Sequence, residues 1–255
     1  MILTNENYFS FDAERHYMGS TQYKRFAACE AAAVASILGA YREETSTAML
    51  VGSYVDAHFS AELNLFCAQN PNIFKRDGTL KSEYEHANYI IQRIERDPQF
   101  MAAMSGRNQV IMTGEISGVP VNIKVDSLLP DRIVDMKIMR DMQDVYNRDD
   151  REWQPFWKSW DYDIQGAIYR EIVRQNVGAV LPFGLAVATK ENPEPDIALL
   201  TIPADVLDEA LEDVKANIVY YDSVKRGLAE PESCGKCDYC RSVRVLTGWV
   251  DLTGI

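Results

Sequence analysis

Val125-Asp-Ser-Leu-Leu-Pro-Asp-Arg-Ile-Val-Asp-Met-Lys137 reads as two strands joined by a turn, with the strands carrying acids toward each other. β-Rich runs over 119–128 and 132–139 flank Pro130-Asp131, a pair suited to a short hairpin turn. A turn centred there sets Asp126 opposite Asp135, where cross-strand Cβ atoms lie roughly 5 Å apart. Two carboxylates that close repel unless a cation lies between them, and a divalent metal is the simplest such cation. Alternation along the strand sends Asp135 and Lys137 to one face and Met136 to the other, toward a core. Asp126, Asp135 and Lys137 therefore converge on one spot. Hard oxygen donors suit magnesium or manganese, which keep several waters and accept phosphate oxygens as further ligands. The set favours phosphodiester hydrolysis, with Lys137 orienting the attacking water or stabilising developing charge.

Composition limits the alternatives. At 255 residues and 47% hydrophobic, the chain can bury a substantial core, and we read it as a single domain over 1–255 with a helical region at 1–105 and a cysteine motif at 234–240. It shows neither a basic-then-apolar leader nor an apolar run long enough to span a bilayer, so a cytoplasmic protein with no membrane partner is expected. Five cysteines, three of them in Cys234-Gly-Lys-Cys237-Asp-Tyr-Cys240, point to metal ligation in a reducing compartment more than to disulfides. A net charge of -12 argues against a generic nucleic-acid-binding surface, because such binding relies on Lys and Arg neutralising phosphates. Any DNA contact has to be local, in a cleft and metal-assisted.

Outward from the hairpin, 110–115 and 119–126 form a second hairpin around Ser117-Gly118. In that register Asp126 pairs near Gln109, which leaves Glu115 about six residues, or roughly 20 Å, from the acids and outside the site. Upstream, a helix is predicted over 20–38, capped by Ser20 and carrying Cys29 in its middle. Another is predicted over 47–68, where Gly52 and Asp56 share a face and His58 does not. Gly52 suggests either a close backbone approach or a small residue at a tight crossing. A charged helical stretch over 80–104 breaks near Asp97-Pro98. Downstream, 153–176 is aromatic at its start and then helical, with Gln165 and Tyr169 on one face; strands over 183–189 and 197–202 precede a helix over 204–226. The order predicts an α/β or α+β sheet flanked by helices.

The series Gly52-Ser-Tyr-Val-Asp56, Asp126, Asp135-Met-Lys137 and Gln165-Gly-Ala-Ile-Tyr169 resembles the PD-(D/E)xK nuclease superfamily, and within it the RecB-like and phage exonuclease VIII (RecE-like) branch. The resemblance implies a restriction-endonuclease-like core with a mixed five-stranded sheet. It makes Asp126 and Asp135 metal ligands and Lys137 the catalytic lysine, with Gln165 and Tyr169 supporting the site or the DNA backbone. Asp56 stands where the family usually has His, yet a carboxylate can still complete a magnesium site. His58, two residues off the motif, is read as a surface or packing residue. Val125 stands where the family's nominal Pro would be.

The implied function is a magnesium- or manganese-dependent deoxyribonuclease, an exonuclease of phage or prophage recombination working beside a single-strand annealing protein, with oligomerisation open. The rival reading keeps the fold as an inactive DNA-binding or protein-interaction module with a structural metal site. Some RecB-like nucleases carry an iron-sulfur cluster pinning the C-terminus to an early cysteine. By that resemblance Cys29, Cys234, Cys237 and Cys240 would hold a 4Fe-4S cluster, with Cys67 spare. Four thiolates also make a structural zinc site, and a metal-free reduced set is the third possibility.

Overall fold

In the computed structural model helices come first: α1 (Phe11–His16), α2 (Ser20–Ala28), α3 (Glu30–Ile37), α4 (Thr47–Phe59), α5 (Leu63–Gln69), α6 (Ser82–Glu95) and α7 (Pro98–Ala103). They precede β1 (Arg107–Ile116), β2 (Val119–Leu128) and β3 (Ile133–Met139). A small hairpin, β4 (Val145–Asn147) with β5 (Glu152–Gln154), and α8 (Phe156–Ser159) lead to α9 (Tyr162–Val177). The chain then runs through β6 (Phe183–Thr189), β7 (Ile197–Thr201), α10 (Ala204–Lys225) and α11 (Asp238–Ser242). The structure describes residues 1–42, 44–148, 151–246 and 248–249; the other positions of the 1–255 unit lie outside the described residues.

The sheet order is β1-β2-β3-β6-β7, mixed as expected: β3 and β6 are parallel and the other neighbours antiparallel. A parallel pair needs a crossover, and α9 supplies it. Ser117 and Gly118 both take positive φ, 50° and 80°, the turn type whose twist matches the strands it joins. At the other hairpin, Leu129 N donates to Arg132 O across Pro130-Asp131. Two apolar layers cover the sheet. Phe26, Ile123, Ile133, Ile168, Ile172, Phe183 and Val214 belong to one, and Val55, Ile90, Ile94, Val134, Met136 and Ala186 to the other. Every residue of β6 is buried, which a parallel strand covered on both faces requires. Among the described residues no helix is long and apolar enough to cross a membrane.

Three predicted helices differ from those observed. The helix over 20–38 is two, broken at Cys29, whose extended backbone (φ -168°, ψ 108°) is set by packing from the far end of the chain. There, Ala31 N donates to Glu232 O at 3.0 Å and Glu232 N donates to Glu30 Oε2 at 2.9 Å. Ser20 is the first helical residue rather than the cap; Gly19 holds that position, where an added Cβ would lie 2.9 Å from Asn122 Oδ1. The helix over 47–68 turns at Ala61 (φ 60°), which lets Phe66 of α5 fold back onto Tyr54 at 6.0 Å between ring centroids. The stretch after 153 begins with the end of β5 and then α8, and the β4–β5 hairpin carries no strong apolar alternation that would have marked it. Gly52 lies where α4 crosses β3; a Cβ there would be 3.9 Å from Ile138, an ordinary contact, so the crossing has room for a methyl group and does not require glycine.

Gly166 is different, because a Cβ at that point of α9 would lie 2.6 Å from Phe183 Cδ1 and 2.9 Å from Leu207 Cδ2. Gly166→Ala should destabilise the protein by about 1–3 kcal/mol through overpacking, despite a helix-propensity gain of up to ~1 kcal/mol. Gly52→Ala should cost little. Urea unfolding of both variants checks the contrast, and equal midpoints would show that Phe183 and Leu207 yield without cost.

Candidate functional site

The site begins with an irregularity in β2. Core-facing residues run Val121, Ile123, Val125 and then Leu128, an interval of three where alternation demands two. The pairing of β1 with β2 passes from Val110↔Val125 to Asn108↔Ser127, skipping Gln109 and Asp126, and Gln109 takes φ 52°. Each strand skips one residue, so the register is kept, and the left-handed backbone of Gln109 marks local strain where the side-chain alternation of β2 changes. On the other side, β2 pairs with β3 through Leu128↔Ile133 and Ser127↔Val134. Continued by one residue, that register sets Asp126 opposite Asp135, as the sequence predicts. Instead of another backbone rung, Asp126 Oδ2 accepts a hydrogen bond from Met136 N at 2.8 Å. Glu115, paired with Pro120 at the far end of β1, stays out of the site.

Asp135 is only 3% exposed. Its Oδ1 accepts from Gln165 Nε2 at 2.7 Å, while its Oδ2 stands 2.5 Å from Lys137 Nζ in an ion pair without a well-aligned hydrogen bond. Tyr169 O–H donates to Lys124 O at 3.1 Å. The i, i+4 pair on α9 thus ties that helix to β3 through Gln165 and to β2 through Tyr169. Met136 points into the opposite apolar layer. His58 pairs with Glu95 at 2.8 Å on the outside of α4 and takes no part.

Lack of water and like charge dominate the electrostatics. Burial, then the Asp135 and Asp56 carboxylates, push Asp126 well above the usual carboxylate range. Burial and Asp135 also raise Asp56, against the pull of Lys124 and Lys137. Burial alone would depress the Lys137 ammonium, but Asp135 and Asp126 together hold it above its ordinary value. Clustered buried acids that resist ionisation are typical of a site awaiting a cation. The donors are all hard oxygens, and Asp135 Oδ2 is a buried atom lacking a good donor, so the residues fit magnesium or manganese. Among the described residues the four cysteines form a closed set of ligand atoms, whereas the three acids do not.

Lys24, Tyr162 and Tyr8 complete the surroundings, and sequence reasoning missed them. Lys24 Nζ lies 5.8 Å from the Tyr162 ring centre, Lys137 Nζ lies 5.0 Å from it, and Lys24 also donates to Trp160 O at 3.2 Å. Burial and then Lys137 lower the Lys24 ammonium. Burial, with Asp126 beside it, raises the Tyr8 hydroxyl. No spacing in α2 marks Lys24; only the docking of α2 beside α9 brings it there.

The cysteines form a second centre. Cys29 Sγ is 3.5 Å from Cys240 Sγ, Cys234 Sγ is 3.8 Å from Cys240 Sγ, and all four sulfurs lie within 4.8 Å of one another. The Ser233 hydroxyl, 2.9 Å away, draws the Cys240 thiol down to about 6. Backbone N–H groups of Lys236 and Cys237 lower Cys234, and burial raises Cys29. Cys67, half-buried in the layer around Tyr54, is separate.

Residues 19–243 match the model of a family described as a PDDEXK-like domain of unknown function (DUF3799). A crystal structure from Eubacterium rectale, described as a "Putative exonuclease", is 44% identical, covers 100% of this chain and 98% of its own, and superposes with a TM-score of 0.95. A crystal structure of SSO0001, at 11% identity over 86% of this chain and 91% of its own, reaches a TM-score of 0.32, too low to bear on the fold. No curated protein matches the sequence. Match and geometry agree with the motif order, and the chain belongs to the family of PDDEXK-like domains of unknown function (DUF3799), of the PD-(D/E)xK fold.

Proposed function

We propose that this protein is a metal-dependent deoxyribonuclease, an exonuclease acting on linear DNA. The observation that carries the reading is the convergence of Asp126, Asp135 and Lys137, with Gln165 holding Asp135 in place. The family membership and the description of the Eubacterium rectale relative support it. Asp56, Asp126 and Asp135 would hold magnesium or manganese, and that ion, when bound, supplies an acidified water and polarises a phosphoryl oxygen.

The chain's own groups do the remaining work. Gln165 donates to Asp135 Oδ1 and keeps Oδ2 facing Lys137. Lys137, held charged by Asp135 and Asp126, donates to the attacking water or to the oxygens gaining charge in the transition state. Tyr169 fixes the backbone of β2 two residues before Asp126. Lys24, beside Lys137 on the Tyr162 ring, binds an adjacent phosphate; two ammonium groups brought together at one ring are relieved by a polyanion. This local cationic lining lets a chain of net charge -12 take DNA in a cleft. By the branch that its motifs resemble, we extend the proposal to phage or prophage recombination beside a single-strand annealing protein.

Asp126→Asn and Asp135→Asn should each lower magnesium-dependent degradation of linear duplex by at least about a hundredfold, a loss of about 2.7 kcal/mol or more. Lys137→Met should lose turnover yet keep manganese binding in calorimetric titration. Asp135→Asn protein that binds manganese as tightly as wild type would refute the ligand assignment, and wild-type protein inert on linear DNA with both metals would refute the enzyme. Covalently closed circles should resist; their cleavage would replace the exonuclease with an endonuclease.

Because the folded-state value of Asp126 is raised, the stability tied to that group is full below the ordinary carboxyl range, about pH 4, and is lost as pH rises through the raised value. Without added metal, Asp126→Asn, which can still accept from Met136 N, should unfold at a higher temperature than wild type at about pH 7, with the gain vanishing near about pH 4. Melting curves across pH check the sign, and a variant less stable at neutral pH would contradict it. Lys24→Gln should weaken DNA binding while sparing metal affinity, and should reduce the salt slope of binding by about one. An unchanged slope would remove Lys24 from the DNA contact.

A further inference from the structure

An iron-sulfur cubane and a single ion ask different things of four cysteines. In a cubane each thiolate binds its own iron at a separate corner, so the protein sulfurs stand around a bulky inorganic body and do not touch one another. Four thiolates on one zinc, at about 2.3 Å each, form a tetrahedron whose edges are about 3.8 Å. Here Cys29 and Cys240 sulfurs are in contact at 3.5 Å, Cys234 and Cys240 are 3.8 Å apart, and no pair exceeds 4.8 Å. There is room for one ion and none for a cluster.

The surrounding hydrogen bonds suit the same ligand set. Cys237 N donates to Cys234 Sγ at 3.4 Å, and Cys240 N donates to Cys237 Sγ at 3.4 Å, so each step of the Cys-x-x-Cys-x-x-Cys run turns a backbone N–H onto the preceding sulfur. Ser233 Oγ lies 2.9 Å from Cys240 Sγ. These donors spread thiolate charge and orient the ligands, the role outer-shell groups play around structural ions. All four positions are taken by protein sulfur, leaving no open site for chemistry.

We infer that Cys29, Cys234, Cys237 and Cys240 bind one zinc ion as a closed tetrathiolate, in place of the iron-sulfur cluster that the family resemblance implies. The ion staples the segment 232–242 onto the break between α2 and α3. The backbone contacts of Glu232 with Glu30 and Ala31 lie beside it. Because α2 carries Lys24 five residues before Cys29, the staple also sets the position of that helix against α9. The inference does not depend on the nuclease reading.

The test is elemental analysis of full-length protein expressed with zinc and iron supplied equally and purified anaerobically. The expected result is colourless protein with about one zinc per chain. Cobalt exchanged into the site should give the intense visible bands of a tetrahedral tetrathiolate. Cys240→Ser should lose the zinc and melt lower by roughly 5 °C or more, while Cys67→Ser retains both zinc and midpoint. Brown protein with iron and acid-labile sulfide, a single bound iron, or metal-free protein with a Cys29–Cys240 disulfide would each overturn the inference. If Cys240→Ser fails to fold, the metal content of the wild-type protein and its cobalt spectrum still decide.

Discussion

Two carboxylates and an ammonium share a volume from which water is largely removed, and most of what surrounds them answers that constraint. Asp126 and Asp135 lie just past the end of the β2–β3 ladder, close enough for the Asp135 carboxylate to push Asp126 upward. Lys137 compensates one of them directly, and a backbone N–H compensates the other. Burying a charge without a partner is expensive, and even a paired one rarely repays its desolvation. Such an arrangement weakens the fold at neutral pH, which fits a stability–function compromise better than a structural ion pair. The strained backbone of Gln109 belongs to the same compromise, since the irregularity there turns Asp126 out of the core alternation of β2.

Rigidity around the acids comes from α9. Its Gln165 and Tyr169 contact β3 and β2, while Gly166, one residue on from Gln165, lets the helix come close to Phe183 of β6. A bulkier residue there would hold α9 away from the sheet and lengthen the Gln165–Asp135 bond. The glycine and the polar pair of this helix are therefore one device, in which close packing sets the reach of the hydrogen bonds.

The cysteine centre is separate from the acids but is linked to their surroundings through α2. Cys29 ends α2, whose Lys24 faces Tyr162 and Lys137. An ion held by these cysteines would order the break after α2 and act on that helix through a short lever. The C-terminal segment gains an anchor too, since few apolar side chains of 230–246 are buried and Cys240 is the buried one of them.

Local rules settled a good deal of this molecule. Alternation and turn chemistry placed both hairpins and their registers, sent Met136 to the other layer and excluded Glu115, because period-two side chains and a known turn leave one solution; the turn set the Asp126–Asp135 register, but the break in the alternation of β2 that re-aims Asp126 had no local signal. The i, i+4 spacing put Gln165 and Tyr169 on one face for the same kind of reason. Other features were decided only by contacts distant in sequence. An Ala-rich run continues a helix by propensity, yet Cys29 breaks it because Glu232 and three cysteines some two hundred residues later need its backbone extended. Lys24, Tyr162 and Tyr8 carry no local pattern, since ordinary helix and loop positions become part of a site only when tertiary packing brings them to it. Four cysteines in a sequence allow several ligands and several groupings; that the sulfurs of Cys29, Cys234, Cys237 and Cys240 lie within 4.8 Å of one another is defined only by the folded chain.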